Sequence, residues 1–224
     1  MEARFRPGDR VLELNCGTGE DAVHLARRGV SVLATDASPA MVERARAKAE
    51  AAGVADRVET RLLPFEALGE LAGRGFDGAL SDFGGLNCAA DLAPVARGLA
   101  AALRPEAVAV LCLMGPVVPW EWLWFLARGR PGRAFRRLRP GGDDWRGLRV
   151  RYPTAGRTRR LFGAGFRPLR TAALGALLPP PYAEEWARRR RGWVLRLDRW
   201  ERRLETVFPL PALADHYLLE LERR

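Results

Sequence analysis

The sequence predicts an α/β fold with a mostly parallel sheet between two layers of helices, and three observations support this prediction. Short apolar runs alternate with segments of helical periodicity between residues 10 and 114. The first run, residues 11–14, leads at once through a glycine-containing loop into an acidic helix start. The second run ends on an aspartate, Asp36. Strands that alternate with helices pair in parallel, because each crossover helix returns the chain to the same edge of the sheet.

The glycine loop after the first strand predicts a site for a nucleotide cofactor. Gly17 and Gly19 leave the backbone bare where a Cβ atom would obstruct a ligand. The segment GTGEDA also fits a dinucleotide fingerprint. A pyrophosphate at this helix N-terminus would, however, meet the carboxylates of Glu20 and Asp21, and like charges repel. S-adenosylmethionine carries a sulfonium and an ammonium group, so it suits these acids and Glu13 better.

Asp36 at the tip of the second strand is placed to accept hydrogen bonds from both ribose hydroxyls of a cofactor. At this point the chain resembles the class I S-adenosylmethionine-dependent methyltransferases. Their acidic glycine loop corresponds to ELNCGTG, residues 13–19, and their second motif to TDASPAMVERARAKA, residues 35–49. The resemblance covers residues 10–114. It implies a Rossmann-like three-layer sandwich with a seven-stranded sheet whose last strand is antiparallel, and S-adenosylmethionine as cofactor. Asn15 stands where the family usually has a glycine, and asparagine enters the left-handed region readily.

The resemblance also assigns cofactor contacts to the loops that follow the first four strands. The predicted cofactor-binding residues are Glu13, Asn15, Cys16, Gly17, Thr18, Gly19, Asp36, Ala37, Met41, Leu63, Pro64, Phe65, Asp82 and Phe83. At the third strand, residues 57–63, the family often supplies an acid for the adenine amine. Leu63, Pro64 and Phe65 stand here instead, so we expect backbone groups to make that contact. After the fourth strand, residues 81–84 read Ser-Asp-Phe-Gly. They replace the Asn-Pro-Pro-Tyr signature of enzymes that methylate amino groups of nucleic acids, which argues against such a substrate.

Few side chains qualify for acid or base catalysis. A sulfonium methyl is already a strong electrophile, so the protein mainly has to align a nucleophile and exclude water. We predict Asp82 and His216 as the catalytic residues, with Asp82 also a candidate for the ammonium group of the cofactor. His24 is expected on the core-facing side of the first helix. Helix capping explains Asn87 as well as a role in the site does, and packing explains His24, Tyr152 and Tyr182 better than catalysis does.

The two halves of the chain differ in charge and in aromatic content. Residues 1–114 contain 13 Lys/Arg and 16 Asp/Glu, whereas residues 115–224 contain 24 and 11, and the formal net charge is +10. All seven tryptophans lie in the second half. We therefore interpret residues 1–114 as the cofactor-binding core and residues 115–224 as the remainder of the same domain. Its Trp/Arg-rich insertions, at about residues 115–145 and 179–208, are expected to cap the substrate site.

Three interpretations of these insertions remain open. In the first, the insertions cover a pocket for a lipophilic acceptor and their arginines contact anionic lipid. In the second, they bind nucleic acid. In the third, they pack on the domain and their arginines are solvated. One apolar helix stripe is predicted from Trp186, Trp193, Leu197, Trp200 and Leu204. We predict methyl transfer to a small, lipophilic acceptor. The alternatives are an RNA methyltransferase and a non-catalytic cofactor-binding subunit.

Cysteine usage and hydropathy bear on the compartment. Cys16, Cys88 and Cys112 form no C-x-x-C motif and no Cys/His cluster, so we expect no metal and a reducing, cytoplasmic environment. Residues 107–127 are apolar enough to suggest a membrane span, but Pro116 and Pro119 interrupt them, so only peripheral membrane association is expected. Ten residues precede the first strand. We therefore expect that an upstream segment, the insertions or a second subunit of an oligomer closes the cofactor cleft.

Overall fold

The computed structural model describes residues 4–145 and 147–224. Seven strands form one sheet in the order β3-β2-β1-β4-β5-β9-β8, and β6 pairs with β7 in a separate hairpin. Within the seven-stranded sheet, neighbouring strands are parallel except at β9, which is antiparallel to both β5 and β8. The strands are β1 (Arg10–Leu14), β2 (Ser31–Asp36), β3 (Val58–Leu62), β4 (Phe76–Ser81), β5 (Leu103–Met114), β6 (Asp143–Trp145), β7 (Leu148–Val150), β8 (Phe166–Leu174) and β9 (His216–Arg223). The predicted fold class is confirmed.

Helices cover both faces of the sheet. The helices are α1 (Glu20–Arg27), α2 (Pro39–Ala51), α3 (Leu92–Ala102), α4 (Pro119–Leu126), α5 (Pro131–Ala134), α6 (Ala155–Phe162), α7 (Glu184–Arg189) and α8 (Arg191–Leu204). Successive strand residues point to opposite faces, so Val11 packs in the cluster with α1 and α2, whereas Leu12 packs in the cluster with α3 and α6. These two apolar clusters give the three-layer sandwich its two cores.

The structure differs from the predicted elements at several points. The third strand spans Val58–Leu62, one residue shorter at each end than predicted, and the Leu63 side chain that follows it is buried. The predicted extra strand at residues 145–153 becomes the β6–β7 hairpin, although Arg146 lies outside the described residues. The predicted single helix with its tryptophan stripe is two helices, α7 and α8, which meet at Arg190. Trp193 and Trp200 are both more than half exposed, so the stripe is only partly buried.

One edge of the sheet brings the loops of interest together. β1, β4 and β5 are parallel and all end at this edge, where Met114 pairs with His216 of β9. Leu174 at the end of β8 pairs with the same histidine. The segment that carries α4 follows β5, and the segment that carries α7 and α8 follows β8. Both Trp/Arg-rich segments therefore leave the sheet at the edge where ligands bind in open α/β folds. Within the described part of the chain, no helix has the length and apolar character to cross a bilayer.

Candidate functional site

The glycine loop joins β1 to α1 through three residues in left-handed conformations. Asn15, Gly17 and Gly19 have φ values of 53°, 52° and 80°. A Cβ atom at Gly19 would lie 2.9 Å from the Cα of Ala45, so only glycine allows α1 to start this close to α2. At Gly17 no atom lies within 4 Å of the corresponding position. The bare backbone at Gly17 therefore faces open space, as a site for a closely approaching ligand requires.

Asp36 fastens the glycine loop to the end of β2. Its Oδ2 accepts a hydrogen bond from the Gly17 amide at 3.0 Å, and its Oδ1 accepts one from the Ser38 amide at 2.9 Å. Each carboxylate oxygen can accept further hydrogen bonds. The position predicted for a ribose ligand is thus held rigidly while both oxygens keep acceptor capacity.

Asn15 connects the glycine loop to the loop after β4. Its Nδ2 donates to the carbonyl of Asp82 at 3.1 Å, and the Ser81 hydroxyl donates to its Oδ1 at 2.6 Å. A Cβ atom at Gly85 would lie 2.1 Å from the Cγ of Asn15, so the two loops are in direct contact there. The asparagine that departs from the family pattern therefore has a defined role, which is to tie the first loop to the fourth.

Carboxylates dominate the electrostatics of this edge. Glu13 is 3% exposed, and its Oε2 has no hydrogen-bond partner among the described residues. Burial, followed by the charges of Asp21, Asp82 and Asp36, holds the pKa of Glu13 well above its ordinary range. Burial and Asp82 also raise the pKa of Asp21. A cation bound here would offset the repulsion among these four acids. The donor set therefore fits a cationic cofactor such as S-adenosylmethionine, whose adenosyl ribose would meet Asp36.

The other residues predicted for the cofactor lie around the same edge with unequal exposure. Thr18 and Met41 are half-buried, and Ala37 and Pro64 are exposed. Leu63 is 4% exposed with its side chain in the core, so only its backbone could reach a ligand, and its amide already donates to the carbonyl of Asp36 at 2.9 Å.

Cys16 and the Phe residues near this edge differ in their availability. Burial and the charge of Glu13 raise the pKa of the Cys16 thiol to about 12, so it stays protonated at neutral pH. Phe65 is half-buried. Phe83 is 81% exposed at φ 49°, and its amide donates to the Asp82 carboxylate at 2.7 Å. A large aromatic ring presented to solvent by a left-handed backbone is suited to cover a ligand.

The two predicted catalytic residues lie at this edge on different strands, with β5 between them. Asp82 directly follows β4, whereas His216 begins β9. The Nδ1 of His216 lies 2.9 Å from the Oδ2 of Asp215. Burial would raise the pKa of Asp215, but the hydrogen bond from His216 and the charge of Arg137 outweigh it and lower the pKa to about 2. His216 is therefore oriented by a carboxylate that stays ionised.

Two expectations about individual side chains were wrong. His24 is exposed, because α1 turns Ala22, Val23, Leu25 and Ala26 toward the core. Asn87 does not cap α3, since Asp91 does so by accepting from the Ala93 amide at 2.9 Å. Asn87 is instead 1% exposed and hydrogen-bonds the backbone of Met114 through both side-chain atoms, at 2.8 and 3.0 Å, and the carbonyl of Arg151 at 2.6 Å. It fixes the loop after β4 to the end of β5.

A buried ion cluster beneath the Trp/Arg-rich segments was not predicted. The Nε atoms of Arg136 and Arg137 lie 2.8 Å from the two carboxylate oxygens of Glu121, although their N–H groups are not aligned for hydrogen bonds. Arg137 also donates to Asp215 at 2.5 Å. The cluster links α4 to the strand edge at His216. No local sequence pattern predicts this cluster, because Glu121, the two arginines and Asp215 are far apart in the sequence.

The fold is that of a Rossmann-like domain, and its carboxylate-lined glycine loop resembles that of the class I S-adenosylmethionine-dependent methyltransferases. Comparisons agree with this assignment. Residues 11–106 match the family described as a methyltransferase domain. An S-adenosylmethionine-dependent methyltransferase from Mesorhizobium loti has a similar structure, with a TM-score of 0.66 and 21% identity over 99% of this chain and 95% of that one.

The other similarities are shorter or less specific. A cyclase has a TM-score of 0.63 and 18% identity over 97% of this chain and 76% of its own. An uncharacterised protein of Mycobacterium bovis is 39% identical over 83 residues, which is 36% of this chain and 28% of that protein. A protein-L-isoaspartate O-methyltransferase of Methylorubrum extorquens is 50% identical over 50 residues, or 22% of each chain. The chain thus spans under a third of the length of these curated relatives. The matched family implies S-adenosylmethionine as the cofactor.

Proposed function

We propose that this protein transfers a methyl group from S-adenosylmethionine to a small, lipophilic acceptor. The observation that carries the proposal is the group of carboxylates around the bare glycine loop, with Glu13 buried and its Oε2 lacking a hydrogen-bond partner in the described part of the chain. Such a site favours a sulfonium and an ammonium over a pyrophosphate. In this proposal residues 10–114 bind the cofactor, and the segments after Gly115 shape the acceptor site.

The residues of this edge suit simple positioning chemistry. When bound, the cofactor supplies an electrophilic methyl group, and the acceptor must lie in line with it in a dry site. Asp82 borders the cofactor loop and is our candidate to take a proton from a hydroxyl or amine acceptor. His216, held by Asp215 at 2.9 Å, is the second candidate. The pH dependence of turnover in Asp82→Asn and His216→Gln decides between them. Turnover of the wild-type protein should rise with pH to a plateau as the base loses its proton, and only the variant that lacks this base should fail to reach the plateau.

Two measurements test the proposed function. Calorimetry with S-adenosylhomocysteine and NAD tests the cofactor, and tighter binding of NAD would overturn the assignment. Formation of S-adenosylhomocysteine from S-adenosylmethionine, with lipid extracts as acceptor source, tests the transfer. Cofactor binding without product in any extract would favour the alternative of a non-catalytic cofactor-binding subunit.

We further propose that an aromatic and arginine-rich surface touches anionic membrane. Three adjoining grooves lie along α4, α7 and the start of α8, and the middle groove shares lining residues with each of the other two. We call this surface the Trp/Arg face, and its residues are Trp124, Tyr182, Trp186, Trp193, Arg128, Arg130, Arg133, Arg189, Arg190 and Arg191. Leu123 and Leu126 of α4 are exposed beside it, at 65% and 45%. Trp193 is exposed as well, whereas Trp124 and Trp186 are half-buried. Arginines among tryptophan and leucine side chains that reach the surface are typical of surfaces that lie at a lipid headgroup layer.

The geometry of the Trp/Arg face favours lipid over RNA. The guanidinium of Arg128 lies 3.4 Å from the ring centroid of Trp124, and that of Arg190 lies 4.8 Å from the ring centroid of Trp186. Trp186 also packs edge-on against Trp193, with ring centroids 6.2 Å apart. Ring faces covered in this way are less accessible for stacking on bases, which single-stranded nucleic acid binding requires.

Vesicle binding tests the membrane proposal. We expect the protein to cosediment with vesicles that contain phosphatidylglycerol but not with pure phosphatidylcholine, and less strongly as salt rises. The double variant Arg130→Glu/Arg133→Glu should lose binding, whereas Arg160→Glu, an exposed arginine of α6 outside the face, should keep it. Binding of RNA without binding of either vesicle would support the RNA methyltransferase alternative instead.

A further inference from the structure

A cavity of about 650 Å³ lies beside the loop that follows β4. Its walls come from that loop, from the segment after β5, from the residues that flank the β6–β7 hairpin and from the start of α6. Much of the lining is aliphatic, and these residues are Leu86, Leu92, Val117, Leu138 and Leu161. The volume falls within the range of pockets that enclose small molecules.

The cavity is linked to the cofactor loop through the loop that follows β4. Gly85 touches Asn15 of the glycine loop, and the next residue, Leu86, lines the cavity. Asn87 then hydrogen-bonds Met114 and Arg151, which holds the end of β5 and the strand before α6 against the same loop. The cavity therefore lies beside the loop that contacts the glycine loop, and in this inference a ligand there is the acceptor.

The polar part of the lining is basic. Four arginines line the cavity, and two of them are already paired with acids: Arg137 with the buried ion cluster and Arg139 with Asp143 at 3.3 Å. Across residues 4–145 and 147–224, Arg151 and Arg157 take part in no ion pair. The one acid in the lining, Asp91, is engaged as the cap of α3. Arg157 also lies in the first turn of α6, where the helix dipole adds partial positive charge.

We infer that this cavity binds a carboxylate amphiphile, whose carboxylate pairs with Arg151 and Arg157 while its alkyl chain fills the aliphatic part. The inference rests on the proposed function where it takes this ligand to be the methyl acceptor. It then specifies the lipophilic acceptor as a carboxylic acid. Arg151 is half-buried with one 3.4 Å hydrogen bond to the Ala89 carbonyl, and Arg157 is exposed, so both guanidinium groups remain available to a ligand. A carboxylate supplies two acceptors in the geometry that a guanidinium recognises. An alcohol or an amine of the same length would lack this interaction.

Binding of decanoate, decanol and decylamine to the cofactor-free protein, measured by calorimetry, tests the inference. Decanoate should bind about tenfold or more tightly than decanol, as expected for a charge-assisted contact, and decylamine should bind least. Arg157→Gln should remove this preference while decanol binding stays unchanged. Arg159→Gln, an exposed neighbour on α6 that does not line the cavity, is the matched control and should behave like wild type. Leu138→Trp should block both ligands, because Leu138 is half exposed and a larger ring there occupies the cavity.

The outcomes separate this inference from the proposed function. Equal affinity for decanoate and decanol, or an equal loss in Arg157→Gln and Arg159→Gln, would overturn the carboxylate site even if methyl transfer is observed. Decyl phosphate binding much more tightly than decanoate would also overturn it, in favour of a phosphate ligand. Conversely, the protein could prefer decanoate over decanol and yet bind no S-adenosylhomocysteine. That result would support the carboxylate site and refute the proposed methyltransferase function.

Discussion

Replacing Asp36 with alanine removes the side chain that links the glycine loop to the end of β2. Its two oxygens already receive the amides of Gly17 and Ser38, and their remaining acceptor capacity is predicted for the ribose hydroxyls. A hydrogen bond to a charged group contributes about 1.5 to 3 kcal/mol, and about 1.4 kcal/mol corresponds to a tenfold change in affinity. We therefore expect Asp36→Ala to bind S-adenosylhomocysteine about ten- to a hundredfold more weakly in calorimetry.

Asp77→Ala is the matched control for this prediction. Asp77 likewise accepts a backbone amide, that of Arg10 at 2.7 Å, and an arginine, Arg104 at 2.6 Å, but it lies at the opposite end of β4. Thermal unfolding of both variants shows whether each is folded. An unchanged dissociation constant in folded Asp36→Ala, or an equal loss in Asp77→Ala, would show that Asp36 does not hold the ribose.

Three further predictions concern buried polar groups. Because burial raises the pKa of Glu13, its stabilising contribution is present below the ordinary carboxyl value of about 4.3 and is lost as pH rises through the raised value. Glu13→Gln should thus melt higher than wild type at neutral pH, with the two curves converging in acid, and should bind S-adenosylmethionine more weakly. Asn87→Ala removes the side-chain partner of three partly buried backbone groups and should lower the free energy of unfolding in urea by about 2 to 4 kcal/mol. Glu201, 6% exposed, accepts the amides of Gly175, Leu177 and Leu178, so Glu201→Ala should speed tryptic cleavage at the arginines around Arg190, whereas exposed Glu185→Ala should not.

The sequence was informative wherever short-range pattern determines structure. The strand, glycine loop and helix around Gly17 and Gly19 were predictable because positive φ and close backbone approach leave few other residue choices. The position of Asp36 followed from the end of an apolar run. The antiparallel last strand followed only from the resemblance, since nothing in its residues specifies direction.

Features that depend on distant contacts could not be predicted. Asn87 has the local appearance of a helix cap, and only its burial against Met114 and Arg151 shows otherwise. The pairing of Glu121 with Arg137 depends on how α4 returns to the strand edge. The break at Arg190 interrupts a regular apolar spacing, and the hydrogen bonds that fix α8 through Glu201 reach the distant loop after β8.

Because Asn15 contacts Gly85, the Asn15 side chain fills the volume that a side chain at position 85 would need. A side chain at one excludes a side chain at the other, so in evolution the two sites are expected to change together. A relative with glycine at the first position is free to carry alanine or serine at the second. Gly85→Ala alone should force the two loops apart in this protein, and Asn15→Gly should restore the fit. Loops exchanged between members of the family would therefore have to be transferred as a pair.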